Sequence, residues 1–152
     1  MTRLLILAAV PALMLASCER PDTPAPAEPP AQAVELGGVN LGEPVRVLGT
    51  EPFWAVNITP DALTYSDPEG EGPSFVNAGP SIQGTTATWR ASAEDGTSLE
   101  LVLVDTACSD GMSDRTYPLS ARLTLGERTL NGCAASVDFL MNTDEQGNPV
   151  QQ

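Results

Sequence analysis

The chain contains no histidine and no lysine, and its seven basic residues are all arginine. Without histidine, neither a Ser-His-Asp nor a Cys-His nucleophile arrangement can be assembled, and histidine metal sites are excluded. Without lysine, Schiff-base chemistry is excluded as well. The side chains of Asp, Glu, Tyr, Ser and Arg remain for any chemistry, and we expect no cofactor and no bound metal.

Positive charge is scarce. The seven arginines face twenty acidic residues, and the formal net charge is −13. Such a surface repels the phosphates of nucleic acids and anionic lipid headgroups, and it favours solubility or a cationic partner. We therefore expect no nucleic-acid binding.

Long apolar runs are absent except near the N-terminus, where residues 4–15 are mostly apolar. This run is too short to span a bilayer but suits the apolar region of a secretory signal. The sequence LASC that ends at Cys18 resembles the lipobox of bacterial lipoproteins. The resemblance implies a signal peptide over residues 1–17, acylation of Cys18 by palmitate or similar chains, and a lipid anchor in the membrane. Ordinary cleavage that leaves Cys18 free is the alternative.

Proline is concentrated after this cysteine, with five prolines and almost no large apolar side chain in residues 19–35. We expect residues 18–35 to form the lipid anchor and an extended, disordered tether that holds the folded domain off the membrane. Glu19 follows the modified cysteine, and the absence of Asp there favours the outer membrane in the lipoprotein sorting pattern. The domain is then expected in the periplasm, where an envelope protein is a further candidate partner.

Cysteine is rare, with three residues in the chain. If Cys18 is acylated, Cys108 and Cys133 remain as a pair in an oxidising compartment, which predicts a disulfide between them. A zinc site built on these two is disfavoured because no histidine exists to complete it.

The segment between the paired cysteines predicts a hairpin. Gly126 followed by Glu127 fits a two-residue type II′ turn, with glycine in the first position. The opposed pairs are then Leu125 with Arg128, Thr124 with Thr129, Leu123 with Leu130, and Ser120 with Cys133. Apolar residues meet on one face and threonines on the other, as a half-buried antiparallel pair requires. Residues 109–116 must then fold back to bring Cys108 within bonding distance.

The remaining chain from residue 44 onward shows short alternating apolar runs separated by turn residues, without a helical stripe. This pattern predicts an all-β domain over residues 36–141. The expected architecture is a small antiparallel meander barrel or sandwich of seven or eight short strands with one disulfide. Residues 137–141 predict a last strand or a short helix, and residues 142–152 a mobile tail.

Two segments carry a family resemblance: GTEPFWAVNI at residues 49–58, and CSDGMSD with the later YP and GC at residues 108–134. With the lipobox, they resemble an uncharacterised bacterial family of membrane-anchored lipoproteins, which implies an envelope location and no defined activity. A looser resemblance is to the membrane-bound inhibitors of c-type lysozyme, which are acylated, disulfide-linked small β-barrels. It implies a loop presented to a cationic enzyme, although those inhibitors use a lysine that this chain lacks.

The strongest candidate site combines the EPFW segment with the acidic loop after Cys108. On a strand, Phe53 and Trp54 point to opposite sides, so we expect Trp54 inside the barrel. Phe53 is then either covered by a loop or by the N-terminal segment, or offered to a ligand or partner. The predicted binding surface consists of Glu51, Phe53, Trp54, Asp110, Met112, Asp114, Arg115 and Tyr117. The function we expect is non-enzymatic binding or envelope maintenance.

A carboxylate-based hydrolase is the alternative from another class. It requires two of Asp105, Asp110 and Asp114 to converge in a cleft, with the pKa of one raised by the other. The same three side chains could surround a calcium ion, and Asx-type turn bonding explains such a loop equally well.

Overall fold

The computed structural model describes residues 34–150, which form eleven strands and one short helix. The strands are β1 (Glu35–Leu36), β2 (Val39–Asn40), β3 (Val45–Thr50), β4 (Phe53–Ile58), β5 (Ala62–Asp67), β6 (Gly70–Val76), β7 (Ser81–Gln83), β8 (Thr86–Ser92), β9 (Ser98–Ser109), β10 (Thr116–Leu125) and β11 (Arg128–Ser136). The helix α1 spans Val137–Asn142. The predicted signal peptide, the acylated Cys18 and nearly all of the predicted tether lie outside the described residues. Within residues 34–150, no helix is long and apolar enough to cross a bilayer.

The all-β class predicted from the alternating pattern is confirmed, and every strand pair is antiparallel. The structure has more strands than the expected seven or eight because it includes three, β1, β2 and β7, that the sequence pattern does not reveal. Each of them is only two or three residues long. Strands of that length are too short to show an alternating pattern. Of the two alternatives for the segment after β11, the structure has the helix, and the Ser136 hydroxyl caps it by accepting from the Phe139 N–H at 3.0 Å.

Nine strands form one sheet in the order β6-β5-β4-β3-β11-β10-β9-β8-β7. Two meanders are therefore joined where β3 pairs with β11. The two edge strands, β6 and β7, are consecutive in the chain and are connected only by residues 77–80. At a strand spacing of ~4.8 Å the edges of a flat sheet would lie roughly 38 Å apart, whereas this connection reaches at most about 18 Å. The sheet therefore curls into a half-barrel, and β6 comes into contact with β8.

The interior of the half-barrel is filled by alternate apolar residues of the long strands. The large side chains buried there include Val45, Val47, Val56, Ile58, Leu63, Phe75, Trp89, Leu101, Leu103, Leu119 and Leu123. Each contributes about 1.5–3 kcal/mol when fully removed from water, so this burial is the main favourable term in folding. Leu36 and Val39 of β1 and β2 join the same core, which places these two strands inside the folded domain.

The hairpin of β10 and β11 has the predicted register, with all four predicted residue pairs opposed as expected. Gly126 has a φ of 57°, and no non-glycine residue of the described chain has a positive φ. A positive φ at the first turn residue but not at the second is what a type II′ turn requires. The turn prediction is therefore consistent with the backbone.

The disulfide joins two strands that are not neighbours, because β10 lies between β9 and β11. The Cα atoms of Cys108 and Cys133 are nevertheless 5.6 Å apart. The register between β9 and β10 shifts between Tyr117 and Leu119, and beyond this irregularity the end of the ribbon folds over the outer face of β11. The predicted disulfide and fold-back are both confirmed. They create a small second apolar cluster outside the barrel, formed by Leu48, Cys108, Tyr117, Cys133, Ala135, Phe139 and Leu140.

The polar segment after α1 makes specific contacts. Thr143 and Pro149 form an isolated antiparallel bridge, and the Val150 N–H donates to the Asn142 carbonyl at 2.9 Å. The mobility of residues 142–152 stays a prediction.

Candidate functional site

An open groove lies on the outer face of β3 and β4, beside the loop of residues 109–115, and its volume is about 680 Å³. Leu48, Ala55 and Tyr117 are among its buried and half-buried lining residues. Phe53 and Met112 also border it, and they are 53% and 68% exposed. Two large apolar side chains are therefore held in solvent at one place, where a partner could cover both.

The structure brings most of the predicted binding surface together. Six of the eight residues border the groove: Phe53, Trp54, Asp110, Met112, Arg115 and Tyr117. Glu51 borders an adjoining depression together with Met112. Asp114 is exposed, borders neither cavity, and makes no hydrogen bond or ion pair with the residues that the structure describes.

Three further charged residues, Arg46, Asp67 and Glu145, border the groove without having been predicted to do so. The alternation of β3 places Arg46 on the outer face, which is a signal that could have identified it. Asp67 lies at the groove because β5 pairs with β4. Glu145 lies there because the chain after α1 runs past the groove. No local pattern assigns either of these two to the site.

Trp54 and Phe53 lie on opposite sides of β4, as the alternation predicts. Trp54 is 4% exposed and belongs to the barrel core. Its indole packs against Gly49 and Gly132, where a Cβ atom would collide with the indole or with the Leu48 carbonyl. Because Trp54 occupies the interior, the backbone of β4 directs Phe53 outward to the groove.

The loop that carries Met112 is ordered by Asp110. The Asp110 carboxylate accepts hydrogen bonds from the backbone N–H groups of Met112 (2.9 Å) and Ser113 (2.8 Å), and from the hydroxyls of Ser113 and Tyr117 (2.9 Å each). The Asp110 carbonyl accepts from the Thr50 hydroxyl at 2.8 Å, which links the loop to the end of β3. Partial burial acts to raise the pKa of this carboxyl, but the four donors outweigh it and lower the pKa to about 2. Asp110 is therefore an ionised structural anchor.

Arg115 connects the same loop to the segment after α1. Its guanidinium donates to the carbonyls of Thr143 at 2.8 Å and Asp144 at 3.1 Å. The guanidinium carbon also lies 5.9 Å from the ring centroid of Tyr117, within the range of a cation–π contact. Burial raises the pKa of the Tyr117 phenol, which keeps its hydroxyl protonated as a donor to Asp110.

Asp110 does not have the raised pKa that the carboxylate-based hydrolase predicts for one of its acids. Asp105 and Asp114 are exposed to solvent, and the pKa of Asp110 is lowered, whereas a shared-proton pair would raise one pKa. Within residues 34–150, no three His, Cys, Asp or Glu side chains are grouped to hold a metal ion. The Asx-type bonds from Asp110 to the loop N–H groups account for its presence.

No protein-family model matches the chain, and neither a curated protein nor a solved structure is significantly similar to it.

Proposed function

We propose that this protein is a non-enzymatic binding module of the bacterial cell envelope, anchored to the outer membrane through Cys18, and that its groove binds another envelope protein. The observation that carries the proposal is the exposure of Phe53 and Met112 at one groove. Leaving a large apolar side chain in water forgoes about 1.5–3 kcal/mol of burial free energy. A partner that covers both side chains would recover much of that free energy.

The framework around these two side chains is held in place before any partner arrives. Phe53 is directed outward by the burial of Trp54, and Met112 lies in a loop that Asp110 organises with four accepted hydrogen bonds. A preorganised surface loses little conformational entropy on binding, and this raises the affinity that a small contact area can provide.

The two segments on which the lipoprotein-family resemblance rests, residues 49–58 and 108–134, both contribute to this groove. Their convergence supports a binding role for the same surface. The resemblance to lysozyme inhibitors supports binding as well, since those proteins also act by presenting a loop to a protein partner.

Photo-crosslinking in cells tests the proposal. Benzoylphenylalanine is introduced into the full-length chain at position 53 or 112 and, as controls, at positions 76 and 141, whose native Val76 and Met141 are 80% and 73% exposed but lie away from the groove. We expect the same protein adduct from both groove positions and none from the controls. An absence of adducts at 53 and 112, or the same adducts at all four positions, would contradict the proposal.

A second variant set separates binding from folding. Phe53→Ala combined with Met112→Ala should abolish the adduct formed through a crosslinker placed at exposed Pro68, which also borders the groove. The matched change Val76→Ala should leave that adduct intact. Circular dichroism of both variants should equal that of the native chain, because none of the three side chains is buried.

A further inference from the structure

More acidic than basic side chains surround the groove. Two arginines and three carboxylates border it, and a further carboxylate, that of Glu51, borders the adjoining depression. Glu51 and Glu145 are exposed and make no hydrogen bond or ion pair with the residues that the structure describes. The site therefore offers unpaired negative charge next to exposed apolar surface, within a chain whose net charge is −13.

The two arginines direct donors toward the protein itself. The Arg46 Nη1 donates to the Asn57 Oδ1 at 2.8 Å, and Arg115 donates to two backbone carbonyls and lies near the ring of Tyr117. These contacts hold both guanidinium groups against the domain. An anionic ligand at the groove would also meet the surrounding carboxylates, which repel it.

We infer that the occupant of the groove is a cationic segment of the partner protein, in which an apolar side chain is flanked by lysine or arginine. This inference rests on the proposed binding function and adds the chemistry of the partner. The apolar side chain would pack against Phe53 and Met112, and the flanking cations would lie near Glu51 and Glu145. The same negative field disfavours anionic lipid and nucleic acid as occupants.

The affinity of the groove for such a cationic segment should depend on the salt concentration. Exposed charges interact within a Debye length of about 10 Å at 0.1 M salt, which shortens to about 3 Å at 1 M. Contacts of the flanking cations should therefore weaken in high salt, whereas the apolar contact should not. Affinity should fall with salt without disappearing.

Three synthetic peptides of equal length serve as probes, with the full chain purified in detergent and binding followed by fluorescence anisotropy. The first peptide has Leu-Phe between pairs of arginines, the second replaces the arginines with glutamates, and the third keeps the arginines but replaces Leu-Phe with serines. We expect the first to bind at least tenfold more tightly than either of the others. We also expect its affinity to fall severalfold between 50 and 500 mM NaCl.

A charge-reversal pair locates the interaction. Glu51→Arg with Glu145→Arg should weaken the first peptide at least tenfold. The matched pair Glu94→Arg with Glu127→Arg makes the same change in net charge at exposed residues that border neither the groove nor its adjoining depression, and it should change affinity less than threefold. Equal weakening by both pairs would show a general field effect and overturn the proposed placement.

The outcomes distinguish this inference from the proposed function. Equal or tighter binding of the glutamate peptide, or no detectable binding of the arginine peptide, overturns the cationic partner. The proposed function still stands in either case if crosslinkers at positions 53 and 112 capture the same protein. If crosslinking fails and the first peptide binds with the expected charge dependence, the surface is a cation-binding groove and the envelope-protein proposal is the one that falls.

Discussion

Replacing Asp110 by asparagine removes the charge on which four hydrogen-bond donors converge. Lowering the pKa of a carboxyl from 3.8 to about 2 corresponds to at most roughly 2–3 kcal/mol. Asp110 is partly exposed, so solvent screening reduces this figure, and we expect about 1 kcal/mol of lost unfolding free energy at pH 7 for Asp110→Asn. Asp110→Ala leaves the same donors without an acceptor in the protein and should cost more, about 2–3 kcal/mol.

The effect should depend on pH with a definite sign. The pKa of Asp110 is lower in the folded than in the unfolded state, so its stabilisation is complete above about pH 4 and is lost as the pH falls through about 2. The native chain and Asp110→Asn should therefore differ by about 1 kcal/mol at pH 7. The difference should approach zero near pH 2.

Urea unfolding followed by tryptophan fluorescence measures both quantities, and hydrogen exchange at the N–H groups of Met112 and Ser113 reports local opening of the loop. Asp114→Asn is the matched control, because Asp114 is an exposed acid of the same loop without a hydrogen-bond partner in residues 34–150. It should change stability by less than 0.5 kcal/mol, as expected of a surface site. A difference for Asp110→Asn that is the same at pH 7 and pH 2.5 would refute the anchoring role.

Three further predictions concern the packing and the covalent link that support the groove. Gly49→Ala places a Cβ against the indole of Trp54 and should cost at least about 2 kcal/mol in unfolding free energy, measured by urea titration; a neutral result would mean that Trp54 does not pack as described. The double change Cys108→Ser and Cys133→Ser should lower the unfolding free energy by roughly 3.5 kcal/mol according to the loop-length relation. Reduction of the native chain should give a similar loss in the same assay. Unchanged stability would show that the disulfide does not stabilise the domain. Arg115→Met removes two hydrogen bonds to the segment after α1. Hydrogen exchange over residues 143–150 should therefore accelerate, while the strands of the half-barrel keep their protection. Unaltered exchange would show that these bonds do not hold the segment.

The sequence by itself determined the features that depend on near neighbours in the chain. The period of two in β4 separates Phe53 from Trp54, and the position of Gly126 sets the turn and therefore the register of β10 with β11. These features follow from short-range geometry, in which each side chain alternates in direction and each turn type admits few residues. The pairing of Cys108 with Cys133 was predicted from the cysteine count and the expected compartment.

Only the tertiary structure decided that β3, β4 and the loop of residues 109–115 together form a groove. The pairing of β3 with β11 and the bend near Tyr117 bring the loop of Asp110 and Met112 beside Phe53, and Glu145 reaches the same place from beyond α1. Strand order and bends depend on contacts between segments far apart in the chain, and alternation within a strand does not encode which other strand it will meet. The role of Asp110 is largely local, because its four donors belong to Met112, Ser113 and Tyr117, and Asx-type bonding in this loop is one of the alternatives that the sequence leaves open. The hydrogen bond from the Thr50 hydroxyl to the Asp110 carbonyl, in contrast, depends on the tertiary structure.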